Sequence, residues 1–194
     1  MSQNDFFTVN GAIRANIEPM EIGATLPELD SYLAQIPAPF VASCEFSQLN
    51  QQREAAKHEL QQQNLKHVAE LIDQQNTKLN LLLNYMIAQQ DEPAFRQVTT
   101  RFGAGEVAYC SHTPLTIGQL AIVKLFLDAP PAGIYCYGEV TDVQRSDSER
   151  PESDYTITLS FVRILEEHQD MLIKAALYHQ QKLLRQRSLD RDKS

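Results

Sequence analysis

LKHVAELIDQQNTKLNLLLNYM, residues 65–86, repeats its apolar side chains every seven places. Leu65, Ile72, Leu79 and Met86 form one column, and Val68, Gln75 and Leu82 form the other. The two columns fit the a and d positions of a coiled coil, the seam along which helices from different chains meet. The flanks are apolar too, with Ala69 and Leu83 at e and Leu71 and Tyr85 at g. Such a broad face exceeds what a two-stranded seam needs. It implies three or four helices, or a second contact against the rest of the chain. Gln75 is the one polar residue of the seam, placed either to fix register or to sit in a poorly packed layer.

No Gly or Pro occurs from Ser43 to Gln90, so the whole stretch reads as one long helix. Its first half is rich in Gln, Glu and Lys, with Phe46, Leu49, Ala56 and Leu60 available to pack on a neighbour. At ~1.5 Å per residue such a helix reaches roughly 65–70 Å, so it must project, double back or find partners. Asp91-Glu92-Pro93 ends it.

The flanking sequence changes period. Phe6-Phe7-Thr8-Val9 followed by Ile13, Ala15 and Ile17 predicts one strand, or a strand with a break near Gly11. Thr25-Leu26-Pro27-Glu28 has the form of a capping box and predicts a short helix to about Gln35, stopped by Pro37 and Pro39. From Ala94 to Val162 the pattern is strand-like. Residues 98–102 and 106–110 flank the turn Gly103-Ala104-Gly105; strands at 120–127 and 134–143 follow, separated by Pro130-Pro131-Ala132-Gly133. Residues 146–153 read as a loop, after which Tyr155, Ile157, Leu159 and Phe161 alternate with Thr156, Thr158 and Ser160. Closely spaced strands with short turns favour a meander or small closed barrel. Glu166 to Arg187 returns to helical period, acidic at its start and basic at its end.

Composition excludes several functions. A formal net charge of -8 argues against a nucleic-acid partner, which needs a surplus of Lys and Arg. No stretch approaches the ~20 apolar residues of a membrane span. The polar start and three widely spaced cysteines, Cys44, Cys110 and Cys136, suit a cytoplasmic protein without a disulfide framework. The histidines show no metal-ligand spacing, and Glu166, Glu167, His168 and Asp170 read as a helix's first turn. Cys110 and His112 read as neighbours flanking a turn. No catalytic constellation, cofactor site or metal site is expected.

The order of elements resembles the PilZ domain family. The stretches that carry the resemblance are Phe102-Gly103-Ala104-Gly105-Glu106-Val107-Ala108-Tyr109, Pro114 to Gln119, Gly138-Glu139-Val140, Tyr155 to Phe161 with the helix after it, and the opening Phe6-Phe7-Thr8-Val9. The resemblance implies an α+β fold: a six-stranded antiparallel barrel with a C-terminal helix and a long inserted coiled-coil helix. Residues 1–19 would be the first barrel strand, 20–92 a helical insertion with its coiled coil at about 43–90, and 93–194 the remainder. It further resembles the subtype that assembles as a tetramer through long inserted helices.

The family serves bacterial cyclic di-GMP signalling, and its ligand motifs are absent here. The positions of its Arg pair fall on Asn4 and Thr8, neither of which offers a guanidinium. Its second motif, Asp or Asn, one residue, Ser, two residues, Gly, falls on Arg101, Gly103 and Glu106. Cyclic di-GMP binding is therefore disfavoured. The expectation is a non-enzymatic adaptor, a homo-oligomer that implied resemblance makes a tetramer, acting on an unidentified protein partner. The alternatives are a cyclic di-GMP receptor using unorthodox contacts and a purely structural coiled-coil oligomer.

Overall fold

The computed structural model describes residues 8–62, 65–128, 131–145 and 154–191. The period-2 stretches all become strands: β1 (Thr8–Asn10), β2 (Arg14–Pro19), β3 (Arg96–Gly103), β4 (Glu106–Ser111), β5 (Leu120–Asp128), β6 (Pro131–Arg145) and β7 (Tyr155–Ile164). They pair antiparallel in the order β3-β2-β5-β6-β7-β4, and β4 returns to β3, which closes a barrel. β1 also lies on β3, with Thr8 opposite Gly103, while β2 lies further along it, with Arg14 opposite Val98. β1 and β2 are thus two halves of one barrel strand, and the barrel is six-stranded.

The break near Gly11 is held by one buried side chain. The Thr99 hydroxyl donates to the Gly11 carbonyl at 2.7 Å and accepts from the Ile13 N–H at 3.0 Å. A hydroxyl that can do both satisfies backbone groups the interrupted ladder leaves open. The loop read at 146–153 and residues Phe6 and Phe7 lie outside the described residues.

Between β2 and β3 come three helices, α1 (Leu29–Gln35), α2 (Ala38–Gln62) and α3 (Lys66–Ala88), and a single 3-10 turn, Pro93–Phe95; α4 (Glu166–Arg191) follows β7. The single helix expected from Ser43 to Gln90 is two. α2 ends at Gln62 and α3 returns alongside it, so that Phe46 and Leu49 face Asn76, Leu79 and Asn80. No Gly or Pro marks this break. The Leu65 N–H donates to the Leu60 carbonyl, and the Leu65 carbonyl accepts the N–H groups of Val68 and Ala69, so Leu65 closes one helix and opens the next. Doubling back lets both helices pack on the barrel, which a straight helix of that length could not.

Two boundaries also move. α1 starts at Leu29 with Glu28 as an N-cap that makes no side-chain cap bond, so the Thr25 capping box does not form. The Arg163 guanidinium instead donates to the Pro27 carbonyl and holds that segment against β7. Pro37 and Pro39 do not merely stop α1; they start α2 at Ala38, since proline suits a first helical turn.

Two apolar clusters meet across the wall formed by β5 and β6. Inside the barrel lie Ala15, Ile17, Phe102, Val107, Val123, Leu125, Ile134, Val140, Ile157 and Leu159, with Met171, Leu172, Ala175 and Ala176 of α4 joining them. Outside it, Tyr32, Ile36, Phe40, Leu83 and Ile87 of the inserted helices cover Phe126, Tyr135 and Tyr137. This explains why β6 is buried without alternation from Ala132 to Gly138: one face fills the barrel and the other lies under the helices.

The closest approach is at Gly133. A Cβ there would fall 2.1 Å from the Phe40 ring, and Phe40 is fully buried. Next to it the buried Ser43 hydroxyl donates to the Phe40 carbonyl at 2.7 Å and accepts the Gly133 N–H at 3.3 Å. At the other end of the insertion, buried Asn16 clamps the chain leaving α3. Its amide donates to the Asp91 carboxylate and the Glu92 carbonyl, and its oxygen accepts the Glu92 N–H at 2.8 Å. Burial opposes ionisation of Asp91, but the hydrogen bonds from Arg96 and Asn16 outweigh it and hold the carboxyl below its ordinary range.

His168 lies in the first turn of α4, as expected, and is fully buried. Its Nδ1 lies 3.3 Å from the Tyr135 carbonyl, which also accepts from the Tyr32 hydroxyl at 2.9 Å. Its Nε2 has no partner among the described residues. Burial holds the imidazole below the ordinary histidine value of 6.5.

Two outcomes follow. Gly133→Ala is expected to displace Phe40 and cost about 1–3 kcal/mol, the usual cost of overpacking; an unchanged urea midpoint would show that the ring is not seated there. At His168 the unfolded chain binds a proton more readily than the folded one, so stability is intact above pH 6.5 and falls as the pH drops below it. Denaturation midpoints measured from pH 7.5 down to pH 5 are expected to show a slope in the parent chain that is reduced in His168→Leu.

Candidate functional site

Two surfaces hold the residues singled out in the sequence. The first is the side of α3 turned away from its own chain. Every third or fourth residue from Ala69 to Ile87 faces inward: Ala69, Leu83 and Ile87 are buried, and Asp73, Asn76 and Asn80 are half-buried. These are the e and b positions. The a and d columns take the adjoining side. Leu65, Val68, Ile72, Leu79, Leu82 and Met86 are all exposed, from 40% for Ile72 to 57% for Leu82, and Gln75 is exposed between them. Leu71 and Tyr85 at g and Leu81 at c extend the apolar surface beyond the seam. The e positions thus make the second contact against the chain's own body, and the seam is left over.

At ~100° per residue the c, g, d and a positions span an arc of about 160°. Lys78 is the one formal charge among the described residues on that arc. Lys66, Glu70 and Asp73 sit on its other side, where Lys66 and His67 approach Glu70. An apolar surface of this breadth on a helix is uncommon in a protein that stays monomeric.

The second surface is on the barrel. Of the positions on which the resemblance would place the ligand motifs, the fold brings Thr8 opposite Gly103 and Arg101 beside Glu106, while Asn4 lies outside the described residues. Thr8 is opposite Gly103 across the β1–β3 pair, a bulge interrupts β3 between Thr99 and Arg101, and Thr100 and Arg101 line a groove. That groove, about 190 Å³, is lined also by Asn10, Asp142, Gln144, Thr156 and Thr158. Its cation is engaged at one edge, with Arg101 Nη2 2.9 Å from Glu106 Oε1, while the buried Arg101 Nε has no hydrogen-bond partner among the described residues. One guanidinium against the carboxylates of Glu106 and Asp142 leaves no positive surplus for a phosphate. The hydroxyls of Thr100, Thr156 and Thr158 suit neutral hydrogen-bonding groups.

Elsewhere the sequence candidates separate. His168 turns into the core, away from Glu166 and Glu167, and among the described residues no group of three His, Cys, Asp or Glu side chains is placed to hold a metal. Nor is any helix among them long and apolar enough to cross a membrane. Residues that sequence reasoning passed over include Tyr32 and Gln35 of α1, whose polar ends meet Tyr135 and Tyr137 of β6. The usable signal was Pro37-Ala38-Pro39, which marks a helix start as readily as a stop.

No protein-family model matches the chain, and no curated protein matches it. Solved structures do. A tetrameric PilZ domain from Xanthomonas campestris, described as self-assembled via an unusual helical bundle, superposes with a TM-score of 0.50 at 13% identity. The match covers 93% of this chain and 90% of that one. The fold is PilZ-like. The Bacillus subtilis inhibitor of motility, MotI/DgrA, matches with a TM-score of 0.49 at 10% identity over 94% of this chain; the chain spans 53% of that protein's length. At such identities the likeness is one of fold.

Proposed function

We propose that this chain is a bacterial, cytoplasmic signalling adaptor of PilZ type that assembles through the a and d columns of α3 and acts by binding another protein, without catalysis. The observation that carries the reading is the division of α3: one face is used up by the chain's own body, and the adjoining face keeps a seven-residue apolar repeat in solvent. A solitary helix has no use for that repeat, whereas a second copy matches it along its whole length. The arc is about 33 Å long and about 15 Å around, or ~500 Å² per chain, so an assembly that covered it fully would bury ~1,000 Å² for every two chains, near the lower bound for a specific interface. Two helices touch along one line and would leave part of the arc wet. A closed ring, in which each helix meets two neighbours, covers it, and this favours a tetramer over a dimer. The tetramer described for the Xanthomonas protein supports the same choice.

The barrel would be the recognition element. Its groove at Arg101 lacks the cations for a bis-phosphate ligand, which supports a protein partner over cyclic di-GMP. Several barrels held on one hub raise the effective concentration of each for a repeated partner.

Leu79→Asp places a carboxylate in the seam, and burying it unpaired costs several kcal/mol. Light scattering is expected to show a multiple of the 22.0 kDa protomer for the parent and the protomer mass for the variant. Equal masses would exclude the seam as the interface. Titration calorimetry of the parent with cyclic di-GMP is expected to give no micromolar binding; a saturable micromolar isotherm would overturn the adaptor reading in favour of a receptor.

A further inference from the structure

Two turns at one end of the barrel are built alike. In Glu21-Ile22-Gly23-Ala24 the Ala24 N–H donates to the Glu21 carbonyl at 3.0 Å. In Thr116-Ile117-Gly118-Gln119 the Gln119 N–H donates to the Thr116 carbonyl, also at 3.0 Å. The third residue of each is a glycine, with φ of +85° at Gly23 and +84° at Gly118, as a type II turn requires. The second residue of each is an isoleucine. Ile22 is 75% exposed and Ile117 66%, the two most exposed large apolar side chains among the described residues. Nothing in a type II turn asks for an apolar side chain there, where proline is the common occupant.

The turns are neighbours, and they are anchored. The first leaves β2 and the second enters β5, adjacent strands with Pro19 opposite Ala121 and the Met20 N–H on the Leu120 carbonyl at 2.8 Å. One side chain ties them together. The Gln119 amide donates to the Met20 carbonyl at 2.7 Å, and its oxygen accepts the Thr116 N–H at 3.1 Å. The residues beside the tips turn inward, Met20 and Leu26 against the cluster under the helices and Leu115 against the barrel core. The isoleucines are thus held out on a fixed frame, so little conformational freedom is lost when something covers them.

The charges around the tips indicate what that is. Residues 19–31 and 113–123 carry Glu21, Glu28 and Asp30 and no Lys or Arg. Glu139 is paired across from Leu120, and its Oε1 lies 3.9 Å from where a Cβ on Gly118 would stand. Arg163 reaches this side, but its guanidinium donates to the Pro27 carbonyl. Resting on the adaptor reading above, we infer that Ile22 and Ile117 form the docking surface for the protein partner, which brings a segment of apolar side chains flanked by Lys or Arg. The apolar pair alone would suit any hydrophobic surface; the acidic rim selects a basic one. The same rim opposes insertion of the tips into a membrane with anionic headgroups. A second copy of the chain, with a formal net charge of -8, is a poor match on the same ground.

The probe is a fluorescein-labelled amphipathic peptide of Leu and Lys, about five helical turns long, with a Leu and Glu peptide of the same pattern as its counterpart. Anisotropy is read at ~0.15 M salt, where long-range attraction to an acidic protein is screened. The Leu and Lys peptide is expected to bind the parent saturably and its counterpart not to bind. Ile22→Ser combined with Ile117→Ser is expected to weaken that binding at least tenfold, since both side chains give up their burial. The thermal midpoint is expected to stay unchanged, because neither belongs to the core. Glu21→Lys combined with Glu28→Lys is expected to weaken binding severalfold with the isoleucines in place. No saturable binding to the parent, or binding indifferent to loss of the isoleucines, overturns the docking surface. Binding unaffected by the charge reversal overturns the basic partner. An oligomer mass lowered by the paired serine substitutions would reassign the tips to a contact between copies. Sedimentation with phosphatidylcholine–phosphatidylglycerol vesicles of the parent, but not of that variant, would reassign them to a membrane. Either result overturns the inference. The adaptor reading fails separately, on binding of cyclic di-GMP by the parent, which these peptides do not test.

Discussion

The seating of Phe40 on Gly133 is the contact from which the rest of the arrangement follows. It brings the start of α2 against the outside of β6, where Ser43 ties it to the strand backbone. Tyr32 docks beside it, with its ring 5.9 Å from that of Tyr135. Leu83 and Ile87 of α3 cover the neighbouring wall. With Asn16 clamping the chain as it leaves α3, the insertion is fixed to the barrel at both ends. A helix held this way cannot roll to hide its remaining apolar face, and the a and d columns are therefore kept in solvent by the fold itself.

The two surfaces differ in how their chemistry is resolved. On α3 the a and d side chains stay largely in solvent, with Leu79 bordering Phe46 and Leu49 of α2, and association would remove them from water at ~25 cal/mol per Å². On the barrel the one cation of the groove is paired, with Arg101 against Glu106, and the Asp142 carboxylate accepts from the Gln144 amide. An exposed pair of this kind adds little stability, at most about 1 kcal/mol. Its effect is on recognition: it ties up one edge of the guanidinium that lines the groove. The groove is left as an array of hydroxyls and amides.

Much of this was legible in the sequence wherever a period or a backbone constraint spoke for itself. The strands from Val98 to Phe161 showed their alternation and their Gly and Pro turns, and the break at Gly11 was visible. The seven-residue repeat of α3 was visible too, but it ran together with Ala69 and Leu83 as one broad face, and only the fold divides that face into a buried and an exposed part. What escaped was decided by contacts distant in sequence. The hairpin between α2 and α3 forms within a Gln- and Asn-rich run that has no helix breaker, because packing of both helices on β6 outweighs local continuity. The Thr25 capping box yields to Arg163, 136 residues away. Asn16, Ser43 and His168 are polar residues that composition assigns to the surface, and each is buried because a backbone group or carboxylate from another element awaits it.

The division of one barrel strand from its neighbours has a consequence for how the protein comes into being. Arg14 pairs with Val98, so β2 leaves the ribosome long before the strand that it must join. At about 5–20 residues per second that wait lasts several seconds, during which an apolar strand has no sheet to enter. The helical hairpin cannot end that wait, because β6, the wall it packs on, is made later still. Docking of the insertion and closure of the barrel are therefore coupled, and both come late, when β6 is available to hold the two ends of the insertion together.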